Sequence, residues 1–186
     1  MIKYFGLATI LLAFSLTFGV FTTPNPAKAA SAAEIDRNAR KALEDLYVKS
    51  PSAKTLGEKA MGILVFPGIV KGGLIVGGQY GEGALIKDGN TVAYYNSVAA
   101  SYGLQAGLQK FGYALFFMTD SALKWIDKSD GWEIGVGPSI VVVDAGAAAS
   151  MTSTTAQSDI YAFFFDQKGL MAGLGLQGTK ITRLEK

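Results

Sequence analysis

Gly73-Leu74-Ile75-Val76-Gly77 is the first of three copies of the pattern Gly-Leu-x-x-Gly, and the others span Gly103–Gly107 and Gly169–Gly173. Apolar residues alternate with small or polar ones around each copy, which is typical of a strand that turns one face toward a core. Glycine inside a strand usually marks a bend, a bulge or the close approach of another backbone. The repeated pattern therefore predicts a small, curved sheet with both glycines of a copy on one face.

The first 29 residues match the parts of a secretory signal. Lys3 precedes an uncharged apolar run from Phe5 to Phe21, and Ala27-Lys28-Ala29 supplies a small-residue cleavage site. We expect cleavage after Ala29, with a membrane anchor as the competing interpretation, because the run is near the lower limit for spanning a bilayer. The chain has no cysteine, which excludes a lipid-modified N-terminal cysteine and any disulfide.

The charge and the length of the remaining chain, residues 30–186, limit the kinds of function and fold that it can have. Removing the leader also removes Lys3 and Lys28, which leaves 15 basic and 15 acidic side chains and no formal net charge. A neutral domain is a poor candidate for nucleic acid, whose binding depends on clustered positive charge. The 157 residues from 30 to 186 have the size of a single domain with one core.

Three helices are predicted from capping signals. Ser31 and Glu34 have the form of a capping box, followed by apolar residues at helical spacing. Ser50, as a cap before a proline, predicts a second, short helix that ends near Ala60. Thr119 or Asp120 is expected to cap a third helix over residues 121–127.

Strands account for most of the rest, and we expect a mobile loop over residues 145–158, where no apolar periodicity occurs. Asp88-Gly89-Asn90 and Asp166–Gly169 predict hairpin turns. The predicted fold class is α+β, mainly β: an antiparallel, barrel-like β core with about three helices packed on its surface. The predicted strands are Met61–Phe66, Ile69–Gly78, Tyr80–Lys87, Thr91–Asn96, Tyr102–Gln109, Tyr113–Met118, Trp132–Val143, Asp159–Phe165 and Leu170–Ile181.

The residue types needed for common catalytic chemistry are missing. With no His and no Cys, the chain lacks the usual nucleophilic triads, redox dithiols and zinc or haem ligand sets. Gly173–Gly178 matches a dinucleotide-binding fingerprint, but only eight residues follow it, too few for the helix and strand that such a site requires. We therefore predict no catalytic residue, no metal and no cofactor. A pair among Glu82, Glu133, Asp144 and Asp166 leaves a carboxylate-dependent hydrolase as an alternative.

Several ordered blocks resemble the SYLF domain family. Met61–Pro67, with Lys71–Gly73 and Gly77–Gly83, is similar to the signature block of that family. The later blocks that agree are Ser101–Gly107, Gly135–Pro138, Ile160–Tyr161 and Lys168–Gly173. The resemblance implies a barrel-like core and a lipid-binding function, described as phosphoinositide binding for eukaryotic members. For an exported chain we expect an anionic phospholipid instead, at a membrane surface of the cell envelope, with the periplasm as the expected compartment.

The site residues follow from this expectation. A membrane-surface site needs cationic side chains beside apolar ones, and the candidates are Arg37, Arg40, Lys41, Lys71, Lys110 and Lys168. The motif residues, with an expected structural role, are Gly73, Gly77, Gly78, Tyr80, Gly81 and Gly83. Valine in place of Gly78 or Gly81 is expected to unfold the domain before it alters lipid affinity. A protein-interaction or envelope-scaffold domain, with an unknown protein partner, is the alternative function.

Overall fold

A computed structural model describes residues 30–73, 76–102, 107–128, 130–143, 158–168 and 176–186. The predicted leader, 1–29, lies outside the described residues, as does the predicted mobile loop except for Ser158. The described strands form one sheet in the order β5-β8-β3-β2-β1-β4-β7-β6, which curves into a half-barrel. The predicted α+β, mainly β class is confirmed. The strands are β1 Gly62–Gly73, β2 Val76–Lys87, β3 Asn90–Tyr102, β4 Gly107–Phe117, β5 Trp132–Glu133, β6 Ile140–Val143, β7 Ile160–Lys168 and β8 Lys180–Leu184.

The helices are α1 Ala32–Lys49, α2 Pro51–Gly57 and α3 Asp120–Leu123. Each begins at the predicted cap, because a hydroxyl accepts a backbone N–H that has no partner within the helix. Ser31 Oγ accepts from the amide of Glu34 at 3.2 Å, and Thr119 Oγ1 from that of Ala122 at 3.1 Å. None of the helices in the described part of the chain is long and apolar enough to cross a membrane.

Both faces of the sheet carry apolar clusters. On the face that we call the helical face, α1 and α2 pack on Ile63, Val65, Phe116 and neighbouring residues. On the opposite face, α3 and β5 pack on a second cluster that contains Leu64, Phe66 and Tyr113. Since successive residues of a strand point to opposite sides, β1 supplies both clusters in turn, and its residues 62–66 are all buried.

A bulge in β1 changes its register. The pairing with β4 shifts between Phe66 and Ile69, and the pairing with β2 shifts between Val65 and Val70. Pro67 and Gly68 lie at this point, which is where a strand tolerates a residue without an N–H donor. After the bulge, Ile69 lies in the cluster of the opposite face, and Val70 lies in the groove beside α1.

The first glycine pattern connects two strands instead of lying within one. β1 ends at Gly73 and β2 begins at Val76, and the two strands are antiparallel. In the first copy, Gly73 pairs with Gly77 of the neighbouring strand. The expectation that both glycines share one face of one strand is therefore wrong for this copy. Residues 103–106 and 169–175 of the other copies lie outside the described residues.

Other boundaries also differ from the sequence-based prediction. The predicted strand Trp132–Val143 is two short strands, β5 and β6, and β6 pairs with β7 in parallel, not antiparallel, orientation. Asp166 has a positive φ of 51° within β7, where the register against β4 shifts, so it belongs to a bulge and not to a hairpin turn. The hairpin at Asp88-Gly89 is confirmed: both residues have positive φ, as a two-residue turn between β2 and β3 requires.

Candidate functional site

One row of paired residues crosses the helical face of the sheet. It lies next to the part of that face on which α1 and α2 pack. Residues directly opposite each other in neighbouring strands share a face. Val70 pairs with Tyr80 on one side and with Lys110 on the other. Tyr80 pairs with Val98, and Val98 with Lys180. We call the whole set the lysine-flanked row: Lys180, Val98, Tyr80, Val70, Lys110 and Lys168.

The centre of the lysine-flanked row is exposed and apolar. Val70, Tyr80 and Val98 are 47%, 49% and 42% exposed, and Leu108 in the adjacent row of β4 is 69% exposed. Exposed apolar side chains that adjoin one another in this way are a candidate interaction surface. Neighbouring strands are ~4.8 Å apart, so Lys180 and Lys110 lie about 19 Å apart across four strand spacings. Cationic groups therefore stand on both sides of an apolar strip, and on the β8 side Lys180 is paired in turn with Glu133 of β5.

A groove separates this strip from α1. Its volume is about 1070 Å³. The α1 wall presents Ile35, Asn38, Ala42 and other residues at helical spacing, and the sheet wall presents the middle of the lysine-flanked row. Gly72 and Gly78 lie in the floor between these walls. The groove is therefore an open cleft with apolar residues on both sides.

The acidic groups along the groove are all paired. Asp45 accepts from Lys41 Nζ at 3.1 Å, and Asp166 from Lys49 Nζ at 2.8 Å. Glu82 accepts from the Tyr80 hydroxyl at 2.8 Å and lies 3.4 Å from Lys186 Nζ.

Two groups at the groove differ from ordinary surface side chains. Burial, followed by the hydrogen bond to Glu82, raises the pKa of the Tyr80 phenol, which stays protonated at neutral pH. Lys110 forms no ion pair with any residue that the structure describes. Since it pairs in register with Lys168, the β4–β7 end of the groove carries the excess of positive charge.

The structure brings together half of the basic residues expected from sequence. Lys41 and Lys110 line the groove, and Lys168 lies beside Lys110. Arg37 is exposed on α1 and does not line the groove. Lys71 lies on the opposite face, where it pairs with Gln79 and Gln109.

Arg40 is used elsewhere. It binds Asp36 at 2.9 Å and donates to the Gly89 carbonyl at 2.7 Å and to Thr91 Oγ1 at 3.1 Å, so it joins α1 to the β2–β3 turn. The Thr91 hydroxyl and Arg40 hold the pKa of Asp36 below its usual range, and the Thr91 hydrogen bond is the larger cause. This arginine stabilises the fold and is not available to a ligand in this arrangement.

Sequence reasoning missed Lys180. Lys180 precedes the buried Ile181, and this alternation indicates that the lysine faces outward from its strand. Its position opposite Val98 could not be predicted, because β3 and β8 pair although they are far apart in sequence. Lys186 was also missed. Its ammonium group bridges Glu82 and the Ala30 carbonyl, the latter at 2.7 Å, and so ties the last residue to the start of α1.

The motif glycines have two different environments. An added Cβ at Gly81 would lie 2.5 Å from Ile69 Cδ1 and 2.7 Å from the Gly68 carbonyl oxygen, and at Gly83 it would lie 2.4 Å from the Val65 carbonyl oxygen. At Gly73 it would meet the Gly77 Cα at 2.3 Å. At Gly78 the nearest atom is 3.7 Å away, an ordinary contact distance. Gly78 thus has room for a side chain, which differs from the expectation that valine there unfolds the domain.

This fold and site define a mainly β binding domain with an amphiphilic sheet face. A family model, Ysc84, described as Las17-binding protein actin regulator, matches residues 98–186. The match includes β4, β7 and β8, which carry all three lysines of the lysine-flanked row. The match confirms the resemblance to the SYLF (Ysc84) family over residues 98–186, and that family is one of binding domains and not of enzymes. No curated protein matches the chain.

Proposed function

We propose that this chain is a non-enzymatic domain that binds anionic phospholipid at a membrane surface of the cell envelope. The observation that carries the proposal is the lysine-flanked row, in which an exposed apolar strip ends in Lys180 on one side and in Lys110 and Lys168 on the other. A bilayer surface offers both matching components, since apolar side chains enter the interface while ammonium groups contact phosphate. The expected location in the periplasm rests on the leader-like residues 1–29.

The electrostatic part has a definite size. Each basic side chain near an anionic membrane contributes on the order of 1 kcal/mol. Three lysines then contribute about 3 kcal/mol, which corresponds to roughly 100-fold in affinity. The family description refers to Las17 and actin, which are proteins. We favour lipid for this chain because these lysines form no ion pair with described residues and surround an apolar strip.

Co-sedimentation with vesicles tests the proposal. Residues 30–186 are mixed with neutral vesicles and with phosphatidylglycerol-rich vesicles over a series of salt concentrations. We expect binding to the anionic vesicles alone, weakened by salt because screening reduces interactions between exposed charges. Reversing Lys110, Lys168 and Lys180 to Glu should lower the affinity by at least about 100-fold.

The control reverses three other lysines. Lys54, Lys59 and Lys124 are exposed and lie outside the groove and the lysine-flanked row. Changing them to Glu alters the net charge by the same amount, so equal losses in the two triple variants would show that net charge alone matters and would refute the site. Absence of binding to either vesicle would reject a membrane-surface function and favour a protein partner.

A further inference from the structure

We infer that the groove beside α1 binds one acyl chain of an anionic amphiphile, with the headgroup next to Lys110 and Lys168. The inference rests on the proposed lipid-binding function and deepens it, because a surface that only adsorbs to a bilayer needs no cleft. The groove volume of about 1070 Å³ is slightly above the usual range of ligand pockets, ~300–1,000 Å³. The open cleft therefore has room for an acyl chain along its floor.

The dimensions and the walls of the groove fit an extended hydrocarbon chain. From Ile35 to Asp45, α1 rises about 15 Å at 1.5 Å per residue. The sheet wall extends from β3 to β4, three strand spacings or about 14 Å. Ile35 and Ala42 contribute apolar surface on one side, and Val98 and Leu108 do so on the other. The two walls are therefore of similar length, and both contribute apolar residues to the groove.

The floor of the groove is low because two of its residues have no side chain. Gly72 and Gly78 are directly paired, next to the row in which Val70 and Tyr80 pair. At Gly78 the space above the backbone is open, and its φ lies outside the left-handed region, so other residues fit the same backbone. A leucine at position 78 would occupy space in the groove without a clash at its Cβ.

Charge complementarity places the headgroup at one end. Asp45, Glu82 and Asp166 are each in an ion pair with a lysine, so they do not repel an anion as unpaired carboxylates would. Lys110 extends over Gly68, at the rim of the groove, where an added Cβ on that glycine would lie 3.3 Å from the Lys110 Cε. An anionic headgroup at this rim would contact Lys110 and its neighbour Lys168 while its chain runs under α1.

The test uses cis-parinaric acid, a long-chain fluorescent carboxylate. It is titrated into the purified protein in the form that remains after natural processing in the cell. We expect wild-type protein to bind the probe and Gly78→Leu to bind it at least tenfold more weakly. Ala33→Leu is the matched control, since it adds the same side chain at an exposed position of α1 outside the groove, and it should bind within twofold of wild type. Equal affinity of Gly78→Leu and wild type, or no binding by wild type, would overturn the inference.

Two further measurements keep the result interpretable. Thermal unfolding shows whether Gly78→Leu is folded, and if it is not, the smaller Gly78→Val takes its place with the same expectation. Competition then identifies the headgroup: lysophosphatidylglycerol should displace the probe at a concentration at least tenfold lower than dodecyl maltoside, an uncharged single-chain amphiphile. Equal potency of the two competitors would reject the headgroup site at Lys110 and Lys168.

Vesicle binding separates this inference from the proposed function. Gly78→Leu keeps all three flanking lysines, so it should still sediment with phosphatidylglycerol-rich vesicles, whereas the triple reversal of those lysines should not. Probe binding without vesicle binding by wild type would reject the membrane-surface function and support the groove as a site for single lipids or free fatty acids. Vesicle binding without probe binding would reject the groove and leave the surface function intact.

Discussion

Replacing Gly81 with valine should destabilise the domain strongly, and the structure indicates by how much. The new Cβ would lie 2.5 Å from Ile69 Cδ1, 2.7 Å from the Gly68 carbonyl oxygen and 3.2 Å from the Ile69 Cα. Two of these three atoms belong to the backbone of the β1 bulge, which cannot move without disturbing the pairing of β1 with β4. Overpacking a core typically costs 1–3 kcal/mol, and a clash with backbone places this variant at about 3 kcal/mol.

Thermal unfolding followed by circular dichroism measures the effect. For a domain of this size, 1 kcal/mol shifts the Tm by roughly 2–4 °C, so Gly81→Val should lower the Tm by about 6–12 °C. Gly78→Val is the matched variant on the same strand. Its Cβ has no neighbour closer than 3.7 Å, and a β-branched residue suits a strand better than glycine. We expect its Tm to be unchanged or a few degrees higher.

The comparison refutes the reasoning if the two variants behave alike. An equal loss of Tm in both would mean that the sheet requires glycine at Gly78 for a reason other than packing. An unchanged Tm in Gly81→Val would mean that the bulge at Pro67 and Gly68 yields easily. Either outcome would mean that Gly81, which packs against β1, and Gly78, which borders the groove, do not differ in their importance for stability.

Four other side chains give testable outcomes. Arg40→Ala removes the link from α1 to the β2–β3 turn and should cost about 1–2 kcal/mol in urea unfolding. The pKa of Asp36 is lower in the folded state than in the unfolded state. Its contribution to stability is therefore present above the unfolded pKa and is lost as the pH falls through the folded pKa. The variant Asp36→Asn should lose less stability in acid than the wild type does. Burial and then the charge of Glu58 raise the pKa of Tyr47 to about 12, so stability should fall as the pH rises from about 10 to about 12, and less steeply in Tyr47→Phe. Lys186→Met leaves Glu82, whose side chain is 10% exposed, without its cation, and should lower the free energy of unfolding by about 1–3 kcal/mol.

Local signals in the sequence were sufficient for the starts of the helices and for one turn, whereas α2 and α3 end earlier than predicted, at Gly57 and Leu123. The caps Ser31, Ser50 and Thr119 depend on contacts within three residues, and each helix begins where its cap predicts. The Asp88-Gly89 turn is equally local, because its positive φ angles depend on the two residues themselves. Strand boundaries were less predictable. A Gly-rich apolar segment has the same composition before and after a connection between strands, so the sequence does not show where one strand ends and the next begins, as at Gly73 and Gly77.

The candidate site depends on pairings that no local pattern specifies. Lys110 and Lys168 were both recognised as basic residues beside apolar ones, but only the β4–β7 register shows that they are neighbours. Arg40 has the same local appearance as Lys41, yet its partners at Gly89 and Thr91 are about 50 positions away in sequence. Lys71 differs from Val70 by one position, and the alternation of the strand places it on the other face, away from the groove.

The glycine motif of β2 serves the fold and the site at once, and the alternation of the strand separates the two roles. Gly81 and Gly83 face the cluster around Phe66 and Ile69, where any Cβ would collide with β1. Gly78 faces the other side, where a Cβ would meet open space, so packing does not explain its lack of a side chain. The inferred acyl-chain site would explain it, because a larger residue at position 78 would fill the cleft that the chain needs. Stability should therefore depend on position 81, and ligand binding on position 78.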